Sequence, residues 1–151
     1  MDPYKTKMAS KVRFIAKRPV KASFVVRLEG TIENRGLELI SPGSRCVRKG
    51  EIFELICTAE GGAKPGGRVD SATYLGFCEV VQSGVIRAND LVEINGKHYG
   101  RVGGFDETHA PNHLNVVLKV ASGHIPPSFD IQLGDAIAFT LDHQSQDRRF
   151  P

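Results

Sequence analysis

The stretch that decides the fold is Leu91-Val92-Glu93-Ile94-Asn95-Gly96-Lys97-His98-Tyr99-Gly100-Arg101-Val102. Two short extended runs flank Asn95-Gly96, a dipeptide that accepts the positive φ angles of a tight hairpin. Similar runs recur on both sides. Upstream, Phe24, Val26, Leu28 and Ile32 alternate with Arg27, Glu29 and Thr31, the period of two of a half-buried strand. Asn34-Arg35-Gly36 turns the chain into Leu37–Ile40, and Ser41-Pro42-Gly43-Ser44 turns it again before a third run, Glu51–Thr58. Val69–Gln82 resumes strand character. Downstream, Leu114, Val116, Leu118 and Val120 form one inward face, and Ala136–Leu141 is the last run. No segment of about 12 residues shows a helical period. The expected fold is all-β: a small closed Greek-key barrel of about six main strands plus hairpins, with little helix.

Two turns echo each other, Ile86–Ile94 and Ile131–Phe139, each an apolar residue, an Asn-Asp or Gly-Asp corner, then an alternating strand. Glu60–Gly67 is too rich in Gly and Pro for regular structure and is expected to form a loop or a lid over a barrel mouth.

With 151 residues, the chain is the size of one domain with a single core. Its 40% hydrophobic and 25% charged content is that of a globular protein, and 16 glycines with no tryptophan favour turns over long helices. No run approaches the roughly 18 apolar residues of a membrane span, and the charged N-terminus does not read as a signal peptide. Cys46, Cys57 and Cys78 are odd in number and widely spaced, so neither a disulfide framework nor a CxxC zinc pair is expected. Free thiols point to a reducing compartment, the cytoplasm.

The net charge of +3 is unevenly placed. Residues 1–21 hold seven basic side chains (Lys5, Lys7, Lys11, Arg13, Lys17, Arg18, Lys21) against Asp2, leaving a mildly acidic remainder. The expected organisation is a flexible basic arm over 1–21, a barrel domain over 22–143 and a tail over 144–151. Such an arm can recruit phosphates or nucleic acid, against the favoured reading of a solubilising or expression-derived tail. No aromatic-rich strand accompanies it, so a nucleic-acid partner is not expected.

From Gly84 to Phe139 the chain resembles the glucitol/sorbitol-specific enzyme IIA family of the sugar phosphotransferase system. The likeness runs through Gly84-Val85-Ile86, the hairpin Ile94–Tyr99, Val102-Gly103, His113–Val120, Ile125-Pro126 and Leu133–Phe139. It implies a small closed six-stranded Greek-key barrel. The family's phosphoacceptor is a histidine ahead of this stretch, whereas the first histidine here is His98. The resemblance therefore carries the fold and disfavours the phosphocarrier activity.

The densest polar constellation is Asp106, Glu107, His109, Asn112, His113 and Asn115. His109 and His113 have a helical metal-pair spacing, but Pro111 breaks a helix between them, so a loop entering a strand is expected. There the imidazoles converge with Asp106 or Glu107 either on a divalent ion such as Zn²⁺ or as an acid–base set. The bland alternative is a polar connection whose Asp106 and Asn112 cap turns. Strand parity directs His113 and Asn115 outward. Glu79 shares parity with Leu75, Phe77 and Val81, which makes it a candidate buried carboxylate unless a bulge near Gly76 turns it to solvent. Arg45, Arg48 and Lys49, and separately Lys64 and Arg68, are candidates to hold an anion, against the ordinary reading of solvated loop charge. Tyr74 and Tyr99 read as wall or interface residues, Tyr74 being the one to line a ligand site.

The sequence thus points to a cytoplasmic small-molecule-binding barrel with a His/carboxylate site, in the manner of a metabolic enzyme. The rival is a non-enzymatic regulatory barrel that forms a homo-oligomer through its outer strands.

Overall fold

The computed structural model describes residues 12–143. The expectations for residues 1–11 of the arm and for the tail 144–151 lie outside the described residues. The strands are β1 (Val20–Arg27), β2 (Thr31–Ile32), β3 (Leu37–Glu38), β4 (Ser44–Val47), β5 (Ile52–Thr58), β6 (Arg68–Val69), β7 (Ala72–Gln82), β8 (Gly84–Arg87), β9 (Leu91–Ile94), β10 (Lys97–Asp106), β11 (Leu114–Val120) and β12 (Ala136–Thr140). The helical content is one 3-10 turn, Ser122–His124, among the described residues.

Seven strands form the wall in the order β1, β12, β9, β10, β11, β5, β7, and pairing of β7 with β1 closes it. The architecture is a closed β-barrel with one more strand than the six anticipated. An odd number of strands cannot alternate direction all the way round a closed barrel, so at least one neighbouring pair must be parallel. That pair is β5 and β11, in register from Phe53↔Leu114 to Thr58↔Lys119.

The hairpin at the centre of the sequence reading joins β9 to β10. Asn95 and Gly96 take φ of 51° and 79°, the two positive angles of a type I′ turn. The echoing corners prove to be one turn used twice. Asp90 Oδ2 accepts from Arg87 N at 3.0 Å and Asp135 Oδ2 from Gln132 N at 2.9 Å, with Asn89 and Gly134 at positive φ. The strands that follow them, β9 and β12, pair antiparallel.

The barrel interior is filled by Phe24, Phe53, Leu55, Tyr99, Phe105, Phe139 and their aliphatic neighbours. A second core lies outside the wall. Leu37, Leu39, Ala63 and Val69, from the β3–β6 ribbon and the adjoining loop, pack on Ile56 of β5 and Val117 of β11. Strand β11 is therefore buried on both faces, Leu114 to Leu118 without a break. Asn115 has the expected outward parity yet is only 1% exposed.

The Gly-rich loop is a packed brace, not a lid. Leu39 N donates to Gly67 O, Gly66 N to Ile40 O and Gly67 N to Lys64 O. Glu60 anchors the far side by accepting from the backbone N–H groups of Asp70 and Ser71. The loop seats directly on β10, where a Cβ on Gly103 would meet Ala63 O at 2.7 Å.

Three local readings are revised. A register shift between Phe24 and Val26 turns Val26 outward, 39% exposed, where alternation placed it inside. The pair β4–β8, Ser44↔Arg87 to Val47↔Gly84, was not anticipated, because its residues read as turn and charge. The basic segment is also shorter than its charge suggested. Val20 and Lys21 are in β1, Arg18 donates to Ser83 O at 2.7 Å, and the Arg87 guanidinium lies 4.8 Å from the Phe14 ring centroid. Lys17 Nζ reaches Asp90 Oδ2 at 2.9 Å, with both side chains buried. Burial pushes the Asp90 carboxyl upward, and Lys17 pulls it back.

Candidate functional site

Where β5, β7 and β11 lie side by side, the register aligns Phe77, Glu54 and Asn115 across the outer face of the barrel wall. Two residues before Asn115 on the same face stands His113. Its Nε2 is 3.1 Å from Glu54 Oε1, and its Nδ1 is 2.9 Å from Asn112 Oδ1. Phe77 meets the ring edge-on with centroids 5.0 Å apart, and the His109 ring stacks on it at 5.0 Å. One ligand atom each from Glu54, His109 and His113 lies within 4.8 Å of the others.

Glu54 is 6% exposed, and His113 is its hydrogen-bonding and ion-pairing partner among the described residues. A buried carboxylate is stabilised by a partner that offers it a hydrogen bond or a positive charge, and His113 is placed to do so. Both ring nitrogens of His113 lie within hydrogen-bonding distance of side-chain oxygens, and the tautomer sets which of them donates. With a cation on Nε2, Nδ1–H would donate to Asn112 Oδ1, the arrangement that orients metal-bound imidazoles. Nearby, Asn115 Oδ1 is buried and accepts no hydrogen bond among the described residues. The set of two imidazoles and one carboxylate suits Zn²⁺ or another divalent transition ion.

The loop that delivers the histidines is built from turns, as Pro111 foretold. Ala110 N donates to Glu107 O and Asn112 N to His109 O, around a cis Ala110–Pro111 peptide. Asp106, counted with the catalytic group from sequence, instead secures this loop. Its carboxylate accepts from Thr108 Oγ1 at 2.7 Å and Asn115 Nδ2 at 2.8 Å, and is 3% exposed. Glu107 is exposed and 3.8 Å from Arg45 Nη1. A pocket of about 320 Å³ opens here, walled by Arg45, Glu51, Glu107, Pro111, Asn112 and His113. Arg48 lies beyond Arg45 at the rim of an adjoining hollow.

Other candidates fall elsewhere. Glu79 is exposed opposite Ser23 and Ile52, so of its two readings the buried carboxylate is corrected and the bulge holds: a shift between Leu55 and Ile56, beside Gly76, separates its face from the interior. Arg68 is on the surface against Glu38 and Asp70. Tyr74 accepts from Arg35 Nε at 3.0 Å and packs on the outer core. Neither Arg68 nor Tyr74 borders the pocket. Glu54 was missed. The signal for it is a lone carboxylate inside Ile52-Phe53-Glu54-Leu55-Ile56, the same kind that marks Glu79.

Fold and site together define a closed β-barrel with a histidine–carboxylate cluster on its outer wall beside a surface pocket. The chain belongs to a family of unknown function, DUF6917, whose model matches residues 14–140. No curated protein and no solved structure matches it. Among the described residues, no helix is long and apolar enough to cross a membrane.

Proposed function

We propose that this chain is a cytoplasmic small-molecule-handling barrel whose cluster of Glu54, His109 and His113 holds a divalent transition ion, Zn²⁺ or one similar to it. The observation that carries this reading is the buried Glu54 carboxylate facing a doubly engaged His113. An ion held by three protein ligands keeps a position open, and the pocket walled by Asn112 and His113 lies beside it. An ion held there would supply Lewis-acid chemistry to a group in the pocket. Glu54 supplies charge, His109 and His113 supply nitrogen donors, and Asn112 fixes the ring of His113. Purification without chelator followed by elemental analysis is expected to find one ion per chain. Loss of that ion in His109→Ala with His113→Ala is the second expectation. A metal-free protein with no micromolar Co²⁺ affinity overturns the reading.

A second reading, a non-enzymatic homo-oligomer, draws on Val25, Ile52 and Val81, which are 39%, 45% and 49% exposed. A monomer by light scattering removes it. Kinship with the glucitol/sorbitol enzyme IIA family is proposed for the barrel alone, since residues 1–97 hold no histidine to phosphorylate. Failure of phosphorylated carrier protein to label the chain is the expected result.

A further inference from the structure

Arg45 and Glu51 line both the pocket beside His113 and a second hollow, bordered by Cys46, Val47, Arg48 and Lys49 at the turn between β4 and β5. Arg45 is thus common to a hollow that holds His113 and one that holds Arg48 and Lys49. Glu51 is the single carboxylate lining the second hollow. It is already engaged, accepting from Arg48 N through Oε1 at 3.0 Å. Its Oε2 is 3.9 Å from Arg45 Nη2, and Glu107 Oε2 is 3.8 Å from Arg45 Nη1. Both contacts exceed hydrogen-bonding distance. The Arg45 fork therefore has charge nearby but makes no side-chain hydrogen bond among the described residues. The same holds for the Arg48 and Lys49 side chains, which have no ion-pair partner within salt-bridge distance among those residues.

From this juxtaposition we infer that the ligand of these adjoining hollows is a small organic anion. Its carboxylate or phosphate group lies on Arg45 with Arg48 and Lys49 behind, and an oxygen at its other end meets the ion. The inference rests on the metal reading above for that second contact alone. A planar guanidinium with unused donors is suited to bidentate capture of such a group. The volumes suit a small molecule rather than a polymer. Glu51 and Glu107 hold Arg45 in loose ion pairs that a bound anion would displace.

The test is isothermal titration of the full chain with succinate, methyl phosphate and glycerol, each with and without one equivalent of Co²⁺. Binding of one or both anions, with glycerol silent, is expected, and which anion binds separates a carboxylate from a phosphate ligand. Arg45→Gln, and separately Arg48→Gln with Lys49→Gln, are expected to weaken anion binding by about tenfold or more. Co²⁺ affinity, read from its visible absorption, should be unchanged in both variants. Anion binding that survives both variants, or equal binding of glycerol, overturns the proposal. Absence of Co²⁺ binding with intact Arg45-dependent anion binding overturns only the metal reading. Co²⁺ binding without anion binding overturns only the present one.

Discussion

His113 Nε2 and Glu54 Oε1 meet at 3.1 Å across the parallel pair β5–β11, although 59 residues separate them in the chain. The contact exists because β5 and β11 are neighbours in the closed wall, in a register that sets Asn115 opposite Glu54. Glu54 is buried there, and the His113 ring that it meets is flanked by the rings of Phe77 and His109.

Asn112 is predicted to act on the ion through His113. Asn112→Ala removes the acceptor 2.9 Å from Nδ1, freeing the ring to rotate. Metal affinity should fall by about 10–100-fold with little loss of stability, because Asn112 is exposed. Competitive Co²⁺ titration against a chelator of known affinity checks this, and Asn112→Asp should restore most of the loss. Glu79→Ala is the matching control and should change neither quantity.

Lys17 and Asp90 form a buried pair, so Lys17→Met should destabilise the fold by about 3 kcal/mol at neutral pH. Burial already pushes the Asp90 carboxyl upward, and losing Lys17 raises it further. A carboxyl with a raised folded value contributes stability when protonated and loses it as pH rises through that value. The penalty of Lys17→Met should therefore shrink in acid and grow toward neutrality. Urea unfolding of both proteins across that range reads the difference.

Gly103 sits where the Gly-rich loop presses on β10. A methyl group there would meet Ala63 O at 2.7 Å and Ala63 Cβ at 2.9 Å. Gly103→Ala should cost about 1–3 kcal/mol, with early proteolysis in the loop 60–67 as the local sign. Gly61, around which a Cβ meets nothing within 4 Å, should accept Ala at little cost.

The thiols should separate by burial. Cys46 is exposed, whereas Cys57 and Cys78 are fully enclosed. Desolvation raises the Cys57 thiol to about 11 and Cys78 higher still. A disulfide reagent at neutral pH should titrate one thiol in the native protein and three in denaturant.

By itself, the sequence determined what is local or periodic. Asn95-Gly96 demands its turn whatever surrounds it, and alternation along Leu114–Val120 marks an inward face. The Asp90 and Asp135 corners repeat because an aspartate bonds its own backbone. The histidine-bearing loop was legible for the same reason, since Pro111 forbids the helix that the spacing of His109 and His113 invites. The tertiary structure decided everything that depends on which strands become neighbours. Alternation gives a residue's parity but not what covers that face, so Asn115 was read as outward without being seen as buried. No spacing links Glu54 to His113, Lys17 to Asp90, or Arg45 to Glu107, because closure of the barrel sets those distances. Parity also fails at a bulge, which is why Glu79 exchanged places with Glu54 as the carboxylate without solvent. The histidines announced themselves locally, and only the closed wall supplied their acid.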